Sequence, residues 1–137
     1  ILNYLNIILI GSTVCVDSIQ SKMTITIDNS WKKGKPRFSQ KENSKLHEKS
    51  GVTYLVSNAE FEEFEIQKMD AIAFMKQYFC ELKKIHLLDG LEFAFLDFGI
   101  IRRDVVVQCD YFQSELLLLA GQLGFDIELS QYPVSYD

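Results

Sequence analysis

Apolar residues recur along this chain in two alternating rhythms. Residues 4–11 form a short, nearly continuous apolar run closed by Gly11, which predicts a central strand. Ser12 and Thr13 then cap a predicted helix over 14–23, with Val16, Ile19 and Met23 on one face. Residues 24–28 alternate and are rich in β-branched side chains, the pattern of a strand. From 29 to 50 the periodicity is lost, and lysines, serines, Gly34 and Pro36 mark a long basic loop. A short strand over 52–57 and an acidic connector over 58–65 follow.

The longest predicted helix covers 66–87. Ile66, Met69, Ile72, Met75, Phe79, Leu82 and His86 recur at three- and four-residue spacing, while Lys68, Lys76, Glu81 and Lys83 fall on the solvent side. Asp89-Gly90 ends it as a cap and turn. Residues 91–99 read as a strand, and Arg102-Arg103-Asp104 as a tight turn into a second strand over 105–110, the two forming a hairpin. Ser114 caps a last helix, which Gly124 stops before a closing strand over 125–130. Ile72, Met75, Phe79, Leu82, Phe93, Phe95, Val107, Leu117 and Leu118 are the expected core.

The element order is therefore β-α-β-β-α-β-β-α-β. It predicts an α+β fold with a mainly antiparallel sheet and helices on one face. Its first six elements follow the ferredoxin-like β-α-β-β-α-β order, extended by β-α-β.

A length of 137 residues suits one domain with a real hydrophobic core. An apolar fraction of 47% and a charged fraction of 24% are those of an ordinary globular chain. The net charge of −5 hides an asymmetry. Lys32, Lys33, Lys35, Arg37, Lys41, Lys45 and Lys49 face only Glu42 and Glu48, giving +5 in the loop and leaving −10 elsewhere. A basic segment on an acidic body can attract an anionic partner or lie against its own surface.

Cys15, Cys80 and Cys109 are far apart, form no CxxC pair and sit in apolar context, which predicts buried free thiols in a reducing compartment. The opening apolar run has neither the basic flank of a signal peptide nor the length of a membrane span, so a cytoplasmic location is expected. The sequence opens on Ile1 without Met, so it is expected to start inside a gene product or after processing.

Trp31-Lys-Lys-Gly34 after an opening strand–helix–strand unit, Gly51 to Tyr54, and Gly124 to Tyr132 resemble motifs of a mostly bacterial family known only as domain of unknown function 4279. The resemblance spans about residues 4–134. The family usually carries tryptophan where this chain has Tyr54. The resemblance implies a small α+β domain and lends no catalytic residue to any position.

Candidate chemistry is sparse. His47 falls in the lysine loop and His86 near a helix C-terminus, where an imidazolium favours the dipole. Neither histidine has ligand spacing to a cysteine, so no metal and no cofactor is expected. Cys80 and His86 lie about 120° around and roughly 9 Å along one helix, too far to act as a nucleophilic pair. The carboxylates Asp97, Asp104, Asp110, Asp126 and Glu128 fall at strand ends, with no phosphate loop or nucleophile elbow beside them.

The remaining candidate binding set is Trp31, Lys32, Lys33, Lys35 and Arg37, with Phe38 nearby, which mixes charge with rings. Trp31 is expected to be at least half buried and to pin the strand–loop junction, with Gly34 permitting the turn. The expected function is a non-enzymatic protein-interaction module, with an immunity-type inhibitor of a basic toxin as its particular form. Two alternatives stand beside it. One is a small-ligand enzyme with a cleft lined by Asp97, Asp110, Asp126, His47 and Tyr132. The other is a single-strand nucleic-acid binder using the loop from Trp31 to Lys49. The expected partner is another protein, with no membrane.

Overall fold

A computed structural model describes residues 4–37 and 44–133. Phe38, Lys41 and Glu42 lie outside the described residues. The strand β1 (Leu5–Gly11) shows why its run is apolar: Leu5, Ile7 and Leu9 are fully buried, and Asn6, Ile8 and Ile10 on the opposite face are only partly exposed. After α1 (Val16–Lys22) come β2 (Asn29–Trp31) and β3 (Ser50–Ser57). The helical stretch divides into α2 (Phe64–Gln77), α3 (Phe79–Lys83) and a 3-10 turn (Lys84–Leu87). The chain closes with β4 (Phe93–Ile101), α4 (Ser114–Leu123) and β5 (Asp126–Tyr132).

The five strands form one open, mostly antiparallel sheet in the order β2-β3-β1-β4-β5. Its pairs are antiparallel except β4 with β5, which run parallel. The fold is α+β. Ile7 stands opposite Tyr54 and Leu96, and Leu9 opposite Val52 and Ala94, so these side chains share one face. Val16 and Ile19 of α1, Ala71 and Met75 of α2, Leu82 of α3, and Leu116, Ala120 and Leu123 of α4 join them in a single core.

The structure revises several expectations. Residues 24–28 do not form the first partner strand, because the Thr24 and Ile25 N–H groups donate to the Glu81 carboxylate rather than to a ladder. Pairing with β3 begins only where Asp28 N–H reaches the Thr53 carbonyl, so β2 occupies the first residues of the expected loop. The long helix is broken at Tyr78 (φ −107°, ψ 23°). In α2 the inward positions are Gln67, Lys68, Ala71 and Met75, while Ile66 and Met69 are exposed.

No hairpin joins 91–99 to 105–110. β4 already has β1 on one side, and α4 carries the chain over to lay β5 on the other, as a parallel pair requires. Residues 105–107, left without a strand partner, are exposed loop. Of the expected core, Met75 and Leu82 are fully buried and Ile72 and Phe79 pack against it, whereas Phe93, Val107, Leu117 and Leu118 are exposed. The inward leucines of α4 are Leu116 and Leu123, because a run of four leucines does not reveal its own helical face. Gln113, not Ser114, is the N-cap of α4. Cys15, Cys80 and Cys109 are free but exposed, which corrects the reading of buried thiols.

Candidate functional site

The basic loop builds a groove. Gly34 N–H donates to the His47 carbonyl and His47 N–H to the Lys35 carbonyl, each at 2.9 Å; Arg37 N–H reaches the Lys45 carbonyl at 2.8 Å. Together with a bridge between Pro36 and Leu46, these bonds zip the two arms of the loop. Gly34 makes the turn with φ +83°. Trp31, partly buried as expected, lies against the backbone of Gly51, where an added Cβ would meet its Cζ2 at 2.3 Å. The His47 ring stands 6.0 Å from the Trp31 ring at an interplanar angle of 30°.

Around these rings lies a groove of about 550 Å³, lined by Ile10, Trp31, Arg37, Lys45, Leu46, His47, Glu48 and Lys49. A second groove, of about 460 Å³, passes the other side of Trp31 and adds Lys32, Lys35 and Pro36. The structure thus brings together Trp31, Lys32, Lys35 and Arg37. Lys33 stands apart, its backbone N–H held by Ser50 Oγ. The expected set of Trp31, Lys32, Lys33, Lys35 and Arg37 left out Lys45, His47 and Lys49, which only the wider reading of the loop from Trp31 to Lys49 included, and it missed Gly51 as the floor of Trp31. A glycine beside the start of a strand was the one available signal.

Two of the cations are tied to the body. Lys32 pairs with Asp17 at 3.6 Å and Lys49 with Glu92 at 2.7 Å. Hydrogen bonds from Lys49 and Ser12 hold the Glu92 carboxyl below the usual carboxylate range. Among the described residues, no ion pair engages Lys35, Arg37 or Lys45.

A cleft of opposite character, about 510 Å³, is lined by Glu62, Glu63, Phe64, Glu65, Ile66, Arg103, Cys109 and Asp110. Its far wall is the segment after β4, fixed by Gln108, whose side-chain amide donates to Ile101 O and Asp110 and accepts from Arg103 N–H. The anchor is Lys68, which sequence periodicity places in solvent but whose side chain is wholly buried. Its ammonium donates to the Tyr111 carbonyl at 2.8 Å, pairs with Glu65 at 2.9 Å, and sits 4.5 Å and 4.1 Å from the Phe64 and Tyr111 ring centroids. No pattern of apolar spacing could have disclosed a lysine caged by two rings.

This cage holds out a loop whose apolar side chains face water. Val105, Val106 and Val107 are 53%, 103% and 69% exposed, and Tyr111, Ile66 and Met69 nearby are 66%, 46% and 66% exposed.

The acid–base candidates do not converge. Asp97 lies on the open face of β4 and accepts from Ser130 Oγ at 2.6 Å; burial raises its pKa, partly countered by that bond. Asp110 is engaged with Arg103 and Gln108, while His47 sits in the basic groove. Tyr132 packs edge-on against Tyr4. Register puts Asp97, Asp126 and Tyr132 on the open face of the sheet, while His47 lines the basic groove and Asp110 the acidic cleft, so these five residues do not line one cleft. Burial, with Glu81 adding to it, pushes the Tyr54 phenol up to about 12, so that phenol stays protonated near neutrality. His86 caps α4 instead: its Nε2 donates to the Leu123 carbonyl at 2.9 Å. Among the described residues, no cluster of three or more His, Cys, Asp or Glu could hold a metal ion, and no helix is long and apolar enough to cross a membrane.

Comparison with family models, with curated proteins and with solved structures finds no match.

Proposed function

We propose that this chain is a non-enzymatic protein-interaction module that grips a basic partner through the cleft between α2 and the segment after β4. One observation carries the reading: Val105, Val106 and Val107 are held out to solvent beside an acid-lined cleft. Exposed apolar residues rimmed by charge mark interaction surfaces, and like-signed acids steer a cationic protein towards them. An immunity-type inhibitor in a bacterial cytoplasm is the form that fits this chemistry. The motif resemblance at Trp31 to Gly34 and Gly124 to Tyr132 supports the bacterial setting. The order β4-β1-β3-β2, with crossovers through α1 and α2, supports a ferredoxin-like core to which α4 and β5 are added.

Pull-down from the source cell with immobilised parent and Val106→Lys chains tests it. Val106 is fully exposed, so the variant folds as the parent does. A basic protein retained at low salt by the parent and lost with the variant is the expected result. Retention of nothing, or equal retention by both, refutes the proposal.

The adjoining rings of Trp31 and His47 beside Arg37 favour one second reading, a single-strand nucleic-acid groove. Titrating the Trp31 fluorescence with an oligonucleotide at low salt decides it, since an unchanged signal removes this reading.

A further inference from the structure

We infer that the helix-free face of the sheet is the docking surface for a second copy of this chain, packed face to face with its strands parallel to a twofold axis along β1. The helices cover the face of Leu5, Ile7 and Leu9; no described helix covers the other face, which the loop arm 45–49 borders at its Trp31–Phe93 end and the Tyr4 and Tyr132 rings at its Gly99 end. An antiparallel sheet with one solvated face normally presents polar side chains there. Here register places Trp31, Gly51, Ile10 and Phe93 in one row across the strands, and Ile8 beside Phe95 in the next. Phe93 is 49% exposed, with the Lys49 ammonium 4.8 Å from its ring centroid.

Charge selects the occupant. The β2 end of this face carries Arg37 and Lys45, in the groove that opens on Ile10. At its β5 end stand Asp126 and Glu128, which register aligns with Phe95 and Asp97. β1 is the third of five strands, so the apolar rows lie between a basic edge and an acidic edge. A twofold axis in the interface along β1 sets the basic edge of each copy over the acidic edge of the other. An axis across the strands would set like charges together. An isologous contact satisfies both charge pairs at once, which a partner of one sign could not do.

The size fits. Four strands of about seven residues and the three-residue β2, at about 4.8 Å between strands and about 3.4 Å per residue, give about 500 Å² per copy, or about 1,000 Å² over two copies. That lies near the lower end for specific interfaces, so the dimer should depend on concentration and dissociate in salt.

Sedimentation velocity over a concentration series tests the inference. The parent is expected to pass from monomer to dimer, and added salt to shift it back. Phe93→Asp, Asp126→Lys/Glu128→Lys and Arg37→Glu/Lys45→Glu are each expected to be monomeric. Mixing the last two is expected to restore a dimer, because one chain then carries two basic edges and the other two acidic edges, so both charge contacts are complementary in sign. A parent that stays monomeric throughout overturns the inference, whether or not an oligonucleotide or another protein binds this face. So does a dimer unaffected by the charge reversals. Val106→Lys is expected to leave the dimer intact while removing the proposed basic partner, so the two readings fail separately.

Discussion

Replacing Lys68 by Met keeps an apolar stem of similar length and removes only the ammonium head. The loss includes two ring contacts, each worth about 1–2 kcal/mol when desolvated. One charge-assisted bond to the Tyr111 carbonyl contributes about 1.5–3 kcal/mol more. The pair with Glu65, whose side chain is 70% exposed, adds little. Against this gross loss of about 4–7 kcal/mol stands the cost of burying an ammonium, several kcal/mol, which Met does not incur. The net expectation is a destabilisation of about 2 kcal/mol, or roughly 5–8 °C in Tm for a chain of this size.

Urea denaturation of parent and Lys68→Met measures the global effect. Trypsin reports the local one, because Arg102 and Arg103 open the segment that Lys68 holds, and cleavage there should accelerate. Equal stability together with unchanged cleavage would show that the ammonium does not anchor the segment, and the account of the exposed valines would fall with it.

Gly124→Ala is expected to lose about 1–3 kcal/mol, because φ is +73° and the new Cβ would meet His86 Nε2 at 2.4 Å; an unshifted urea midpoint would contradict this. Gly51→Ala should displace the Trp31 ring at a cost of about 1–3 kcal/mol and move its emission, so an unchanged spectrum would deny the close packing. Glu81 is raised by burial but more strongly lowered by its bonds to Thr24 and Ile25 and by Lys84, leaving its folded pKa below the ordinary 4.5. Its contribution is present above 4.5 and lost as pH falls through the folded value, so the stability gap between parent and Glu81→Gln should narrow in acid. Asp97 has the opposite sign: its raised pKa makes the ionised form the strained one. Asp97→Asn, which still accepts from Ser130, should therefore raise Tm at neutral pH, with the gain vanishing below the ordinary Asp value of 3.8.

What the sequence determined by itself is what local chemistry enforces. The run from Leu5 to Gly11 could only be a strand, Gly90 and Gly124 mark turns that need positive φ, and Trp31 beside a lysine cluster announced a ring that had to be seated. The α+β class followed from such pieces. Tertiary structure decided which pieces pair and which face turns inward. Residues 105–107 have the composition of a strand, but β4 has only two edges, and β1 and β5 hold them. Residues 24–28 likewise lost most of the ladder to Glu81, a competitor more than fifty positions away in the chain. Leu117 and Leu118 point outward because α4 packs through Leu116, Ala120 and Leu123, and four consecutive leucines offer no asymmetry to read. The groove and the lysine cage were invisible for the same reason. Trp31 needs the backbone of Gly51 and the ring of His47, and Lys68 needs Phe64 and Tyr111, so each site exists only once distant residues share a surface.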